Sequence, residues 1–270
     1  MKRLASSVRE KAGIYVGALT VAAVTTVGTI IITKSAERLP FVGKEPSAPK
    51  VTVWNYTGSP CGGVIVPDKT ITDIGIPPPE YSSDASFGDW IAKRGSAAST
   101  SVLHLTVQGN STTAVVINNF EVVEVKRRPA PTGVILKLPC GDPFQTQFAR
   151  INLDKDPVAV DSSLPTAQEM EFGIVPAQEY AAMKFPYQVT AEKADTFALL
   201  VTTSTCDCEW SLKMNWTSDG EAGETLIRNG DKPFRTISPV RMQRFSLQSA
   251  FTDADKGAWA PYDIDRWTVP

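Results

Sequence analysis

Four cysteines and a single histidine, His104, are the side chains in this chain with most to offer a reaction centre. One imidazole narrows the chemistry, because most transition-metal sites and most nucleophile–base pairs draw on histidine. His104 falls mid-strand in Val102-Leu103-His104-Leu105-Thr106, with neither an orienting carboxylate nor a nucleophile beside it, and reads as a structural residue. Cys206 and Cys208 fall two apart on one face of a predicted strand. Same-face Cα atoms sit about 6.5 Å apart there with parallel Cβ vectors, which suits a mutual disulfide poorly. At least one is expected to bridge elsewhere, to Cys140 in the Pro139-Cys140-Gly141 turn or next to Cys61, and the pairings of four cysteines stay open. A four-thiolate metal site is the rival reading, but these spacings match no standard knuckle. No metal and no cofactor is expected.

Asp154, Asp156 and Asp161, and separately Asp253, Asp255, Asp263 and Asp265, place carboxylates on loops in the manner of calcium ligands. The Asp253-x-Asp255-x-Gly257 stretch has its glycine one place early and lacks the terminal glutamate, so solvated turns are the better reading. Two well-placed carboxyls suffice for glycoside hydrolysis without histidine, but 29 acidic residues give that chemistry no address. Trp54, Trp90, Trp259 and Trp267 fall in or near predicted loops and the C-terminal tail. Packing of the tail onto the domain is the favoured role, while exposed aromatics there would stack on sugars or on a protein partner as the alternative. The Lys126-Arg127-Arg128 run before Pro129 reads as a solvated strand end, with an anion contact second. Asn55-Tyr56-Thr57, Asn110-Ser111-Thr112 and Asn215-Trp216-Thr217 match the N-glycosylation pattern, which matters only in a eukaryotic host.

The elements that would position these residues are short β-rich runs punctuated by Gly, Pro, Asn and Asp, the pattern of an antiparallel β-sandwich-type, all-β domain. The strongest is 206–217, where Cys206, Cys208, Trp210, Leu212, Met214 and Trp216 alternate with Asp207, Glu209, Ser211, Lys213, Asn215 and Thr217. That alternation predicts a half-buried strand, followed by a hairpin through Ser218–Gly223 to 224–228. A second hairpin is expected between 101–107 and 113–126 across Gly109-Asn110-Ser111. Further strands are expected at 51–56, 63–66, 133–138, 147–153, 187–191, 196–203 and 241–248. Helix signals are confined to a turn or two at 89–94 and 178–183.

Upstream, residues 12–33 are the one long uncharged apolar run. As a helix it just crosses a hydrocarbon core of about 30 Å. Lys2, Arg3, Arg9 and Lys11 precede it, which favours a cytoplasmic N-terminus. The expected organisation is a cytoplasmic tail (1–11), a transmembrane helix (12–33), a Pro- and charge-rich linker (34–50) and an extracytoplasmic β domain (51–270), in a single-pass cell-membrane protein. A cleaved signal peptide has a shorter apolar core and a small-x-small site, which Thr33-Lys34-Ser35-Ala36-Glu37 does not supply; a buried soluble helix is the remaining alternative. Gly13 and Gly17 make a small-xxx-small pair of the kind used by helix dimers. Beyond the first eleven residues, 23 basic and 28 acidic residues leave a net charge of −5, which argues against nucleic acid as a partner. An oxidising compartment makes disulfides the natural state of the cysteines.

The segments Pro139-Cys140-Gly141-Asp142, Phe185-Pro186-Tyr187-Gln188-Val189, Asp207-Cys208-Glu209-Trp210 and Gly230-Asp231-Lys232-Pro233-Phe234-Arg235-Thr236 resemble a family of uncharacterised actinobacterial proteins, often with an N-terminal membrane segment. The resemblance spans roughly 100–236 and implies an envelope setting; it supplies no activity and so no functional residues. The expected function is a membrane-anchored, non-enzymatic binding or scaffolding module with a protein or envelope-glycan partner. The alternatives are a carboxylate-dependent envelope glycan hydrolase and a sensory ectodomain working through a partner.

Overall fold

The computed structural model divides the chain into two units, Met1–Ser47 and Ala48–Pro270. It describes residues 48–54, 63–77, 87, 90–98, 101–110, 113–137, 146–171, 175, 179–247 and 259–261, all in the second unit. The apolar run 12–33, the Gly13/Gly17 pair, Cys61, Cys140, Trp267 and the aspartates at 253, 255, 263 and 265 lie outside the described residues. Among the described residues no helix is long and apolar enough to cross a membrane.

The described chain is mostly β, in two sheets. The first orders β1 (Lys50–Trp54), β4 (Ser101–Gln108), β11 (Asp195–Thr202), β7 (Thr146–Asn152) and β8 (Val160–Asp161), with β9 (Tyr180–Ala182) also on β7. The second runs β10 (Tyr187–Val189), β5 (Val115–Pro129), β12 (Cys206–Ser218), β14 (Phe234–Ile237), β3 (Ala97–Ala98), β2 (Val64–Pro67), β6 (Gly133–Lys137), β15 (Met242–Leu247) and β16 (Trp259–Pro261), with β13 (Glu221–Ile227) also on β12. Both sheets are mixed, which corrects the antiparallel expectation: β7–β11, β7–β9, β3–β14 and β6–β15 pair in parallel.

Alternation decides what each face does. Leu103, Leu105 and Val107 of β4 and Phe197, Leu199 and Val201 of β11 share one core with Leu212, Met214 and Trp216 of β12, so the sheets pack face to face. The 206–217 alternation is realised in β12, whose core-facing residues are all buried. β11 instead reads as an unbroken apolar run, Phe197-Ala198-Leu199-Leu200-Val201, because both its faces are covered. Ala198 and Leu200 pack on the outer side with Val102, Phe148 and Val175, and Tyr180 packs against them.

The hairpin expected between 101–107 and 113–126 does not form. β4 pairs with β1 and β11, β5 with β10 and β12, so the chain changes sheet at Gly109. Both runs carry the strand pattern; alternation reveals a strand's faces and not its neighbour. Gly109 is needed at the crossing for another reason, since a Cβ there would lie 2.9 Å from the Thr190 carbonyl carbon. Residues 178–183, expected as a helical turn, hold β9 instead, where Tyr180 packs on Phe148. β5 carries two bulges against β12, one with Glu124 at φ 57°.

Gly223 lies opposite Trp216 in the β12–β13 hairpin, and the indole crosses the strand above it. A Cβ at 223 would sit 2.3 Å from the ring. The ring has nowhere to retreat, being buried with Nε1 donating to Thr225 Oγ1 at 2.9 Å. Gly223→Ala is therefore expected to cost about 1–3 kcal/mol, the usual range for overpacking, read as a lower urea midpoint with unchanged slope. An unchanged midpoint would show that the ring is free to move.

Candidate functional site

Among the described residues, two places stand out for their polar chemistry. The first is the end of the domain where β11 turns into β12 through Thr203-Ser204-Thr205. Asp154, on the turn after β7, is the hub. Thr203 Oγ1, Ser204 N, Ser204 Oγ and Thr205 Oγ1 all donate to its carboxylate, at 2.7, 2.7, 2.7 and 2.6 Å. Burial acts to raise this carboxyl, but the four donors outweigh it and bring its pKa down to about 2. Thr203 Oγ1 also lies 3.1 Å from Cys206 Sγ. Beside it Arg127 donates to the Leu153 and Lys155 carbonyls, at 3.0 and 2.8 Å, tying β5 to the same turn.

Cys206 and Cys208 are joined to each other as a disulfide, which corrects the expectation that at least one bridges elsewhere. Their Cα atoms are 5.4 Å apart, shorter than the repeat of a fully extended strand and inside the normal disulfide span. The compressed start of β12, just before the bulge opposite Trp210, makes that approach. A bond between residues two apart closes a far shorter loop than the 15-residue one worth about 3 kcal/mol. Between the cysteines Asp207 faces outward, only 5% exposed. Burial acts to raise its carboxyl, but Arg235, donating at 2.8 and 2.9 Å, and Arg128 hold it below its ordinary value.

The second place is the solvent face of β5, β12 and β13. Lys213 sits between Glu121 at 2.9 Å and Glu224 at 3.4 Å. Asn215 donates to Asn119 at 2.6 Å and to Glu121 at 2.8 Å. Arg228 donates to both oxygens of Glu124, at 2.8 and 2.6 Å, and Ser211 donates to the same carboxylate at 2.7 Å. The Lys213 hydrogen bond lowers Glu121, and the Ser211 and Arg228 bonds lower Glu124. A general acid needs its carboxyl raised; Glu121, Glu124, Asp154 and Asp207 all move the other way. No family model matches the chain, and neither a curated protein nor a solved structure matches it.

The remaining sequence candidates disperse. Trp90, a candidate binding aromatic near a predicted loop, is 4% exposed in a separate core with Phe87, Ile91, Val64 and Leu136. Arg94 lies over its ring at 3.9 Å and donates to the Trp90 carbonyl. Trp259 packs half-buried against that core and donates to the Gly75 carbonyl at 2.8 Å, in line with the packing reading. Trp54 ends β1 opposite His104. His104 lies on β4 opposite Ala198 and Trp54, and burial lowers its pKa. Asp156 and Asp161 do not join Asp154 in a ligand set; among the described residues no three His, Cys, Asp or Glu side chains converge on a metal position. The sequence reading missed the Asp154 hub, whose signal was the Thr203-Ser204-Thr205 hydroxyl run between two strands.

Proposed function

We propose that the chain is a single-pass, membrane-anchored envelope protein whose β-sandwich is a non-enzymatic binding module for a protein partner. The observation that carries this reading is the solvent face of β5, β12 and β13. It is a solvent-facing stretch of sheet on which Asn119, Glu121, Lys213, Asn215 and Glu224 hold one another in place. Side chains fixed before binding lose little rotamer freedom on contact. Alternating charges and amides suit a polar protein surface, whereas a sugar face calls for an aromatic platform that this set of residues lacks. The apolar run 12–33 with its basic flank supports membrane attachment with the N-terminus in the cytoplasm, the setting that the resemblance to uncharacterised actinobacterial proteins also implies.

The test is affinity capture from detergent-solubilised membranes with quantitative mass spectrometry, comparing the natural chain with Lys213→Glu. The expected result is a protein partner recovered by the natural chain and depleted at least tenfold by the variant, both showing the same strand content by circular dichroism. Equal recovery by both would remove this face from the interaction. Retention on purified cell-wall glycan with no protein partner would change the partner class, and release of soluble sugar from that glycan would favour the hydrolase reading.

A further inference from the structure

We propose that Cys206 and Cys208 form a reversible dithiol–disulfide couple that small thiols reach by local opening of the Thr203–Thr205 turn, with the fold intact in both states. This stands apart from the binding reading and does not depend on it. Three observations carry it. The bond spans residues two apart, so it restrains the unfolded chain far less than a long-loop bridge and is a weak structural staple. The backbone that brings the sulfurs together is fixed without it: Cys206, Asp207 and Cys208 pair with Pro129, Arg128 and Arg127 on one side, and Asp207 and Cys208 pair with Ile237 and Thr236 on the other. Making or breaking the bond therefore requires side-chain rotation and no change of strand register. Finally, Cys206 is the first residue of β12, bounded by the exposed Ser204 and Thr205, and its sulfur lies 3.1 Å from a hydroxyl that itself bonds Asp154.

Burial sets the route. Cys206 is 3% exposed and Cys208 is sealed, so an incoming thiolate has no path while the turn is closed. The turn is held by the Asp154 hub, and its release uncovers Cys206 first. The thiolate then bonds to the Cys206 sulfur, and the bond to Cys208 breaks with its electron pair. Cys208 takes up the proton the incoming thiol has lost. A second thiol displaces Cys206 from the mixed disulfide, leaving two protein thiols and one small-molecule disulfide. Two thiols thus supply two electrons and two protons.

The experiment treats the full chain with dithiothreitol in non-denaturing buffer, quenches by alkylation over time, and follows the peptide holding both cysteines by mass spectrometry. The expected result is reduction at a rate nearly independent of urea below the unfolding transition, and full recovery of the bond in oxidised dithiothreitol. The reduced protein should keep one cooperative unfolding transition. Asp154→Asn, which weakens the hub, should speed reduction at least tenfold. Reduction that begins only where urea unfolds the chain would overturn the proposal, as would peptide mapping that joins either cysteine to another part of the chain. Should Asp154→Asn not fold, the urea dependence of the natural chain decides alone.

Discussion

Replacing Trp210 with alanine should destabilise the domain by about 3–5 kcal/mol, the usual cost of deleting a large buried aromatic. Trp210 is among the largest fully buried side chains. Its ring packs on Phe234 of β14 at 4.8 Å between centroids, and its Nε1 donates to Thr236 Oγ1 at 3.1 Å. It sits where β12 passes from pairing with β14 to pairing with β13, and where the β5 bulge falls. Alanine would leave a cavity and remove the Trp210 hydrogen bond to the Thr236 hydroxyl, itself fully buried. For a domain of this size a loss of that order lowers the melting temperature by roughly 10 °C. Trp210→Phe should recover much of the packing but not the hydrogen bond, placing it between the natural chain and alanine. Equal melting temperatures for all three would mean that this end of the sheet contributes little to cooperative stability.

Glu169→Gln should cost about 3 kcal/mol at neutral pH, toward the lower end for breaking a buried ion pair. Glu169 is 5% exposed and accepts from Arg150 on both carboxylate oxygens. Thr166 closes a capping box on it, donating from N at 2.6 Å and from Oγ1 at 2.8 Å. The lower end applies because the Arg150 side chain stays 21% exposed and so is partly hydrated when its partner loses its charge. Burial acts to raise the Glu169 carboxyl, yet Arg150 and Thr166 outweigh it and hold it below its usual 4.5. A carboxyl whose pKa is depressed by folding contributes stability that is complete above its unfolded value and lost as pH falls through its folded value. The gap between the natural chain and Glu169→Gln in urea unfolding should therefore be widest above about pH 4.5 and narrow below it. A gap of equal size at about pH 3 and pH 7 would refute the ionic account. Replacing both Arg150 and Glu169 with leucine should recover part of the loss, because no charge is then left buried alone.

What the sequence revealed and concealed divides along one physical line. Side-chain alternation in 206–217 is local, and it located β12 and the face it buries. The unbroken apolar run of β11 is equally local, but its cause, the packing of Val175 and Tyr180 with Ala198 and Leu200 on the outer face of the first sheet, is tertiary. The 101–107 and 113–126 strands were visible, while their separation into different sheets was not, since that depends on partners roughly ninety residues away. An ideal strand repeat holds Cys206 and Cys208 too far apart to pair, whereas the real strand is compressed beside a bulge. Trp90 follows Gly88 and Asp89 and so reads as lying near a loop, whereas its burial comes largely from β2 and β6, which no local pattern connects to it. The Thr166-x-x-Glu169 spacing is a legible capping box, but the half-buried Arg150 that gives Glu169 its weight lies on β7, which no local pattern connects to it.

The pairing of β5 with β12 has a consequence for how the chain reaches its native state. Hydrogen bonds across this pair join residues as far apart as Asn118 and Thr217, 99 positions distant. Closing a loop of that length costs entropy before any contact rewards it, which slows folding. During synthesis β5 is complete long before its main partner exists, so a 15-residue strand must wait with open edges. Its sequence is suited to that wait. Glu121, Glu124, Lys126, Arg127 and Arg128 charge it, Pro129 ends it, and the bulge at Glu124 bends it out of the flat geometry that recruits a wrong strand. The charges that lock the finished sheet thus serve first to keep a half-made one solitary.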